Sequence, residues 1–146
     1  YGAEMRGGTA NCYVVISDEP VGAPKVSQAD YVVVLNDPSM QRFKDAVAPG
    51  GTMFVNSSVV TQDPGRDDIK VVKVDAGTIA YELGNLKVLN LVIAGAIIGY
   101  TEVLPAQNVL QTAFKKLGAK RPELNPVNEA AFNRGFEIGK AAREAE

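Results

Sequence analysis

Along this chain, short runs dense in β-branched residues give way to stretches whose apolar positions recur every three or four residues. Residues 13–17, YVVIS, are apolar and β-branched and predict a strand. The segment DEPVGAPK that follows is rich in turn formers. ADYVVVLN, residues 29–36, is a continuous apolar run, the pattern of a strand covered on both faces of a parallel sheet. Asp37 and Pro38 open a helix, with Pro38 placed for its first turn. PSMQRFKDAV carries that helix, with Met40, Phe43 and Val47 on one face, until Pro49, Gly50 and Gly51 end it. TMFVNSS, residues 52–58, predicts the next strand, and Asp63-Pro64-Gly65 a loop. IKVVKVDA, residues 69–76, alternates as a strand, and GTIAYELG starts a short helix.

This alternation predicts an α/β fold, a Rossmann-like and mostly parallel sheet flanked by helices, with a helical C-terminal part. The helical part holds one buried helix from Lys87 to Glu102. A second starts at Pro105, with Val109, Ala113 and Leu117 inward and Gly118 as its stop. The last runs from Asn125 as N-cap, with Pro126 at the first helical position, to the end. No repeat, low-complexity tract or second-domain boundary interrupts residues 1–146, which read as a single domain.

Composition narrows the chemistry. The formal net charge is −2 and no long basic run occurs, which excludes a nucleic-acid platform. There is no histidine, so a Ser-His-Asp, Cys-His or histidine-metal site is ruled out for this chain. The single cysteine, Cys12, cannot build a disulfide, a four-cysteine zinc site or an iron–sulfur cluster alone. Any electron carriers would therefore sit on other chains. A lone free thiol fits a reducing, cytoplasmic compartment. The chain opens on Tyr1 rather than Met, shows no signal-peptide pattern and reads as a fragment. Its most apolar stretch, VLNLVIAGAIIGY at residues 88–100, is interrupted by Asn90. It is shorter than the ~20 residues of a membrane span, so it predicts a buried helix and no membrane contact.

Four features are candidates for function. In YGAEMRGG, residues 1–8, the Gly7-Gly8 pair allows positive φ or close approach, and Arg6 offers a fork of donors. That loop is a tight turn, or a contact to an anionic group or a partner subunit. Asn36 and Asn56-Ser57-Ser58 stand after two strands, where they line a ligand crevice, or Asn36 and Ser57 simply cap the following segments. Gly95 and Gly99, echoed by Gly135 and Gly139, mark close helix packing, internal or between subunits. Cys12 opens an apolar run and is expected to be buried, whereas Glu4, Glu82, Lys87 and the charged tail are expected to be solvated surface. No nucleophile–base pair, phosphate loop or metal signature emerges, so no catalytic residue is assigned.

The order of several segments adds a resemblance. YGAEMRGGTANCYVVISDEPVGAPKV resembles the S-Y-G-x-E-x-R-G-G-x, strand, I-S-D-E-P-I-G signature of the gamma subunit of 2-oxoacid:ferredoxin oxidoreductases. ADYVVVLNDPSMQRF and APGGTMFVNSSVV are similar to that family's A-D-x-x-x-x-x-N-x-P-S and P-G-G-x-x-x-x-N-S-S segments. AGTIAYELGNLKVLNLVIAGAIIG is similar to its A-x-E-x-G-N-x-x-x-x-N-x-x-x-x-G helix, and NEAAFNRG to its N-x-x-A-F-x-x-G. One departure stands out. The family begins earlier, with a strand and a G-x-G-G-Q-G loop opening a helix, and neither is present here.

The resemblance implies a multisubunit enzyme that oxidatively decarboxylates a 2-oxoacid with coenzyme A, giving acyl-CoA, carbon dioxide and reduced ferredoxin. It implies that thiamine diphosphate, magnesium and iron–sulfur clusters sit on partner alpha, beta and ferredoxin-like delta subunits, and none on this chain alone. It further implies that Tyr1, Glu4, Arg6, Gly7 and Gly8 form a loop facing the shared site, with Arg6 on a coenzyme A phosphate or a partner carboxylate. Two other readings stay open: a subunit of an indolepyruvate:ferredoxin oxidoreductase, and a homodimeric scaffold without catalysis.

Overall fold

Three apolar runs become the strands β1 (Ala29–Val34), β2 (Val47–Asn56) and β3 (Lys70–Val74), ordered β1-β2-β3 and all parallel. The structure, a computed structural model, describes residues 10–23 and 26–146. Period-two geometry divides the side chains between the two faces of the sheet. On one face Val32, Val34, Met53, Val55 and Val71 pack with Met40 of helix α1 (Asp37–Phe43). On the other, Phe54, Val72 and Val74 meet α2 (Ala76–Glu82), α3 (Leu89–Thr101) and α5 (Asn125–Glu144). Cover on both faces is why residues 52–56 of β2 are buried one after another.

The second cover stops short of β1. Tyr31, Val33 and Leu35, in line with Phe54 on the helix-bearing face, are 47%, 37% and 45% exposed. Among the described residues no strand pairs with the outer edge of β1. Residues 13–17 are not that strand. They form no regular structure, and Tyr13, Val14 and Ile16 are exposed, Val14 at 79%. β-Propensity describes fit to a pleated, half-buried surface, and no described neighbour offers one here. Cys12, expected to be buried, is exposed for the same reason.

The first helix is shorter than its periodicity suggests. It ends at Phe43, and Val47 begins β2. Pro49, Gly50 and Gly51 are not its stop but a bulge inside the strand. Ala29 pairs with Val47 and Tyr31 with Thr52, so two steps along β1 match five along β2. Gly50 takes φ +80°, and a Cβ on Gly51 would stand 2.8 Å from the carbonyl oxygens of Ala48 and Asp30. Arg66 fastens the bulge by donating from Nη1 to the Val47 and Lys44 carbonyls at 2.8 and 3.1 Å. Its other face is held by Asp68 at 2.7 and 2.8 Å.

Helix α3 is apolar all round because it is buried all round, between the sheet and α5. Its glycines interlock with those of α5. A Cβ on Gly95 or Gly99 would lie 2.1 or 2.2 Å from the carbonyl oxygens of Phe132 or Phe136. On Gly135 or Gly139 it would lie 1.8 or 2.0 Å from those of Val92 or Ala96. The glycine spacing therefore serves packing within the chain.

Helix α4 (Ala106–Leu117) buries Leu110 against Ile98 and Phe132, with Val109 and Ala113 half-buried. Leu117, expected inward, is exposed, because it lies in the last turn, outside the Ile98–Leu110–Phe132 cluster. Gly118 ends the helix as its periodicity predicts. Asn125 is the first residue of α5 and not its cap. Leu124 takes the cap position, and no side chain makes a capping bond there.

Candidate functional site

In open α/β sheets ligands bind beyond the carboxyl ends of the strands, so the polar residues there come first. Asn36 follows β1, the stretch 56–58 ends β2, and Asp75 follows β3. Asn36 is an N-cap: its Oδ1 accepts from the Ser39 amide at 2.9 Å and starts α1. Asn56 is buried, and its Oδ1 accepts from Ser58 Oγ at 2.5 Å and from the Ser58 amide at 3.4 Å. Ser58 Oγ in turn accepts from the Gly77 amide at 3.0 Å, strapping the end of β2 to the start of α2. The Ser57 amide donates to the Val74 carbonyl at 2.9 Å, extending the pairing toward β3. Asn36, Asn56 and Ser57 thus share the carboxyl rim of the sheet, but the two asparagine side chains are occupied by local structure. Asn36 makes the capping bond that was one alternative for it, whereas Asn56 bonds within its own turn.

A residue read from the sequence only as a helix opener organises the same rim. Asp37 Oδ1 accepts from the Thr61 and Gln62 amides at 2.9 and 3.1 Å, and Oδ2 from Thr61 Oγ1 at 2.8 Å. The Thr61 hydroxyl first, then the Thr61 amide, hold the Asp37 carboxyl below its ordinary value of 3.8. A lowered folded value means the stabilisation is complete above the unfolded value and is lost as pH falls through the folded one. Acid melts should show this. Between about pH 5 and 2, Asp37→Asn should lose less thermal stability than the parent chain. Equal losses would show that the Asp37 bonds do not stabilise the fold.

The opening loop candidates Tyr1, Glu4, Arg6, Gly7 and Gly8 lie outside the described residues. Among the described residues no three His, Cys, Asp or Glu side chains gather as a metal site. No helix among them is long and apolar enough to cross a membrane. A cavity of about 290 Å³ opens at the opposite, amino end of the strands, lined by Asp30, Tyr31 and the bulge from Ala48 to Thr52.

Against known proteins, residues 1–138 match the family model described as pyruvate ferredoxin/flavodoxin oxidoreductase. The chain is 31% identical over 142 residues to 2-oxoglutarate synthase subunit KorC of Methanocaldococcus jannaschii, covering 96% of this chain and 74% of that one. It is 32% identical over 146 residues to ketoisovalerate oxidoreductase subunit VorA of Methanothermobacter thermautotrophicus, and spans only 30% of that relative's length. Among solved structures, the gamma subunit of a keto/oxoacid ferredoxin oxidoreductase from Geobacter sulfurreducens superposes with TM-score 0.71 at 23% identity, over 78% of this chain and 66% of that one. A 2-oxoglutarate:ferredoxin oxidoreductase from Magnetococcus marinus gives 0.75 at 20% identity, over 86% of this chain and 22% of that one. At those identities the two structures establish the fold: a parallel sheet flanked by helices.

Proposed function

The chain belongs to the pyruvate ferredoxin/flavodoxin oxidoreductase family, and on that premise we propose that it is the gamma component of a multisubunit 2-oxoacid:ferredoxin oxidoreductase. The complete enzyme oxidises and decarboxylates a 2-oxoacid, joins the acyl group to coenzyme A and passes the electrons to ferredoxin. The observation that carries this reading is the match to KorC, which runs over 96% of the chain. The names of the relatives divide among 2-oxoglutarate, ketoisovalerate and pyruvate, so all three are candidate substrates. Thiamine diphosphate with its magnesium, and the iron–sulfur clusters, supply the carbon and electron chemistry from the alpha, beta and delta partners in this reading. The chain's own inventory supports that division, since a sequence without histidine and with one cysteine is poor in ligands for such groups.

What this chain contributes is a surface. The side chains of Asn36 and Asn56 are committed to caps and straps, which favours the opening loop as the contact to the shared site. Arg6 presents a planar fork matched to a coenzyme A phosphate or a partner carboxylate, and Gly7 and Gly8 let the backbone come close. Residues 1–146 form one gamma-type domain in this reading. The open edge of β1 and the uncovered Tyr31, Val33 and Leu35 support a sheet completed by a further strand.

The test uses the complex purified anaerobically. With 2-oxoglutarate, ketoisovalerate or pyruvate, Arg6→Ala should raise KM for coenzyme A roughly tenfold, as loss of a charge-assisted hydrogen-bond pair requires. Arg6→Lys should recover part of it, since the charge stays and the fork does not. Unchanged KM and unchanged assembly in Arg6→Ala would remove the role of the loop. A chain that purifies without any thiamine- or cluster-bearing partner would overturn the subunit reading itself.

A further inference from the structure

At the amino ends of the strands a carboxylate is already bound, and it belongs to the protein. Thr52 pairs in register with Lys70, the first residue of β3. The Thr52 hydroxyl donates to the Tyr100 hydroxyl at 3.3 Å, and the Tyr100 hydroxyl donates to Glu146 Oε1. Lys70 Nζ stands 2.8 Å from Glu146 Oε2. Each carboxylate oxygen therefore has its own donor, one from α3 and one from β3.

An exposed Lys–Glu pair is ordinary and contributes little. This arrangement differs in what lies beneath it. Thr52 and Tyr100 are 4% and 8% exposed, so two buried hydroxyls form a chain whose outer end is aimed at the carboxylate. The Tyr100 ring is set edge-on to Phe54 at 5.5 Å, which fixes its direction from within the core. Buried hydroxyls demand partners whether or not Glu146 is in place. The charge pattern agrees: Lys70 is raised chiefly by its bond to Glu146, and Glu146 is lowered first by Lys70 and then by Tyr100. Glu146 lies beyond the last residue of α5, and its amide makes a long, 3.3 Å bond to the Arg143 carbonyl. Thr52 and Tyr31 also line the cavity of about 290 Å³ at this end of the sheet, with Asp30 on its wall.

We propose that Thr52, Tyr100 and Lys70 form a carboxylate-binding seat at the amino end of the sheet, held by Glu146 and open to a small carboxylate when Glu146 leaves. The class is a carboxylate because a hydroxyl and an ammonium each serve one oxygen of the group now bound there. This seat is separate from the carboxyl rim and does not depend on the proposed gamma-subunit role.

Acetate is the probe, titrated into the full chain while backbone amide shifts of Thr52, Lys70 and Tyr100 are followed, with chloride at matched ionic strength as control. In Glu146→Gln, saturation should come at concentrations at least roughly tenfold below those needed in the parent chain, because the internal competitor is weakened. Adding Lys70→Met to that variant should abolish the response. Tyr100→Phe, which keeps the ring in place, should abolish it too. Parent and Glu146→Gln responding alike, or chloride acting as acetate does, would overturn the seat. So would a response that survives Lys70→Met.

Discussion

Gly135→Ala should cost the chain about 3 kcal/mol of stability or more, the upper end of what an added methyl group costs in a packed interior. The new Cβ would fall 1.8 Å from the Val92 carbonyl oxygen, 2.7 Å from its carbon and 3.0 Å from the Ala96 amide nitrogen. All three are backbone atoms of α3, locked in that helix's own hydrogen-bond ladder, so no side chain can rotate away. The helices must separate, and Gly95, Gly99 and Gly139 lose their close approach with them. Alanine's better helix propensity, ~1 kcal/mol over glycine, offsets only part of this. A Tm fall of roughly 6–12 °C is the expected readout by circular dichroism. Gly22→Ala is the control, since nothing lies within 4 Å of the added group. A Gly135→Ala chain melting with the parent would mean that α3 and α5 do not cross at these glycines.

Phe54→Ala should be as damaging for a different reason. Phe54 is fully buried and sits where the middle strand meets α3. Its ring stands 5.5 Å from that of Tyr100, edge to face, and 6.3 Å from that of Tyr31. Removing it leaves a cavity enclosed by a sheet and by two helices pinned to each other, so collapse cannot fill it. A loss of about 3–5 kcal/mol is expected from denaturant midpoints, and a much smaller one for Phe54→Leu. The tyrosine near-ultraviolet dichroism should weaken in parallel, because Tyr31 and Tyr100 both rest on this ring. An unchanged midpoint would show that the sheet and α3 are not joined through Phe54.

The second half of β2 and the helix α3 were legible in the sequence because burial on all sides writes itself as unbroken apolar runs, and β1 and β3 because β-branched residues crowd them. The four paired glycines were legible as a spacing, but what they faced was not, since two helices far apart in the chain must be laid together first. Residues 13–17 misled because β-branched composition reports what a strand can pack against, and no described neighbour is there. Val47 misled because it continues the helical spacing of Met40 and Phe43 while belonging to a strand. The bulge that places it depends on pairing with Ala29, which no local pattern encodes. At the site, Asn36 and Asn56 could be found as polar residues at strand ends. Only distances to Ser39 and Ser58 show that the first caps a helix and the second closes a turn. Asp37 offered an Asp-Pro helix start as its signal, yet its partners Thr61 and Gln62 lie across a loop of their own. The seat of Thr52, Lys70, Tyr100 and Glu146 draws on β2, β3, α3 and the tail beyond α5, and leaves no motif at all.

Among the described residues the outer edge of β1 is open, and that has a consequence for these residues made on their own. Its sequence, ADYVVV, carries neither lysine nor proline to discourage a stranger from pairing. The apolar residues Val14 and Ile16 are exposed as well. Until that edge is covered the molecule offers a template for intermolecular β-pairing, and its enemy is its own concentration. Supply of whatever covers β1 then governs yield: made in excess, the chain seeds inclusion bodies, and made in step with its cover, it stays in solution.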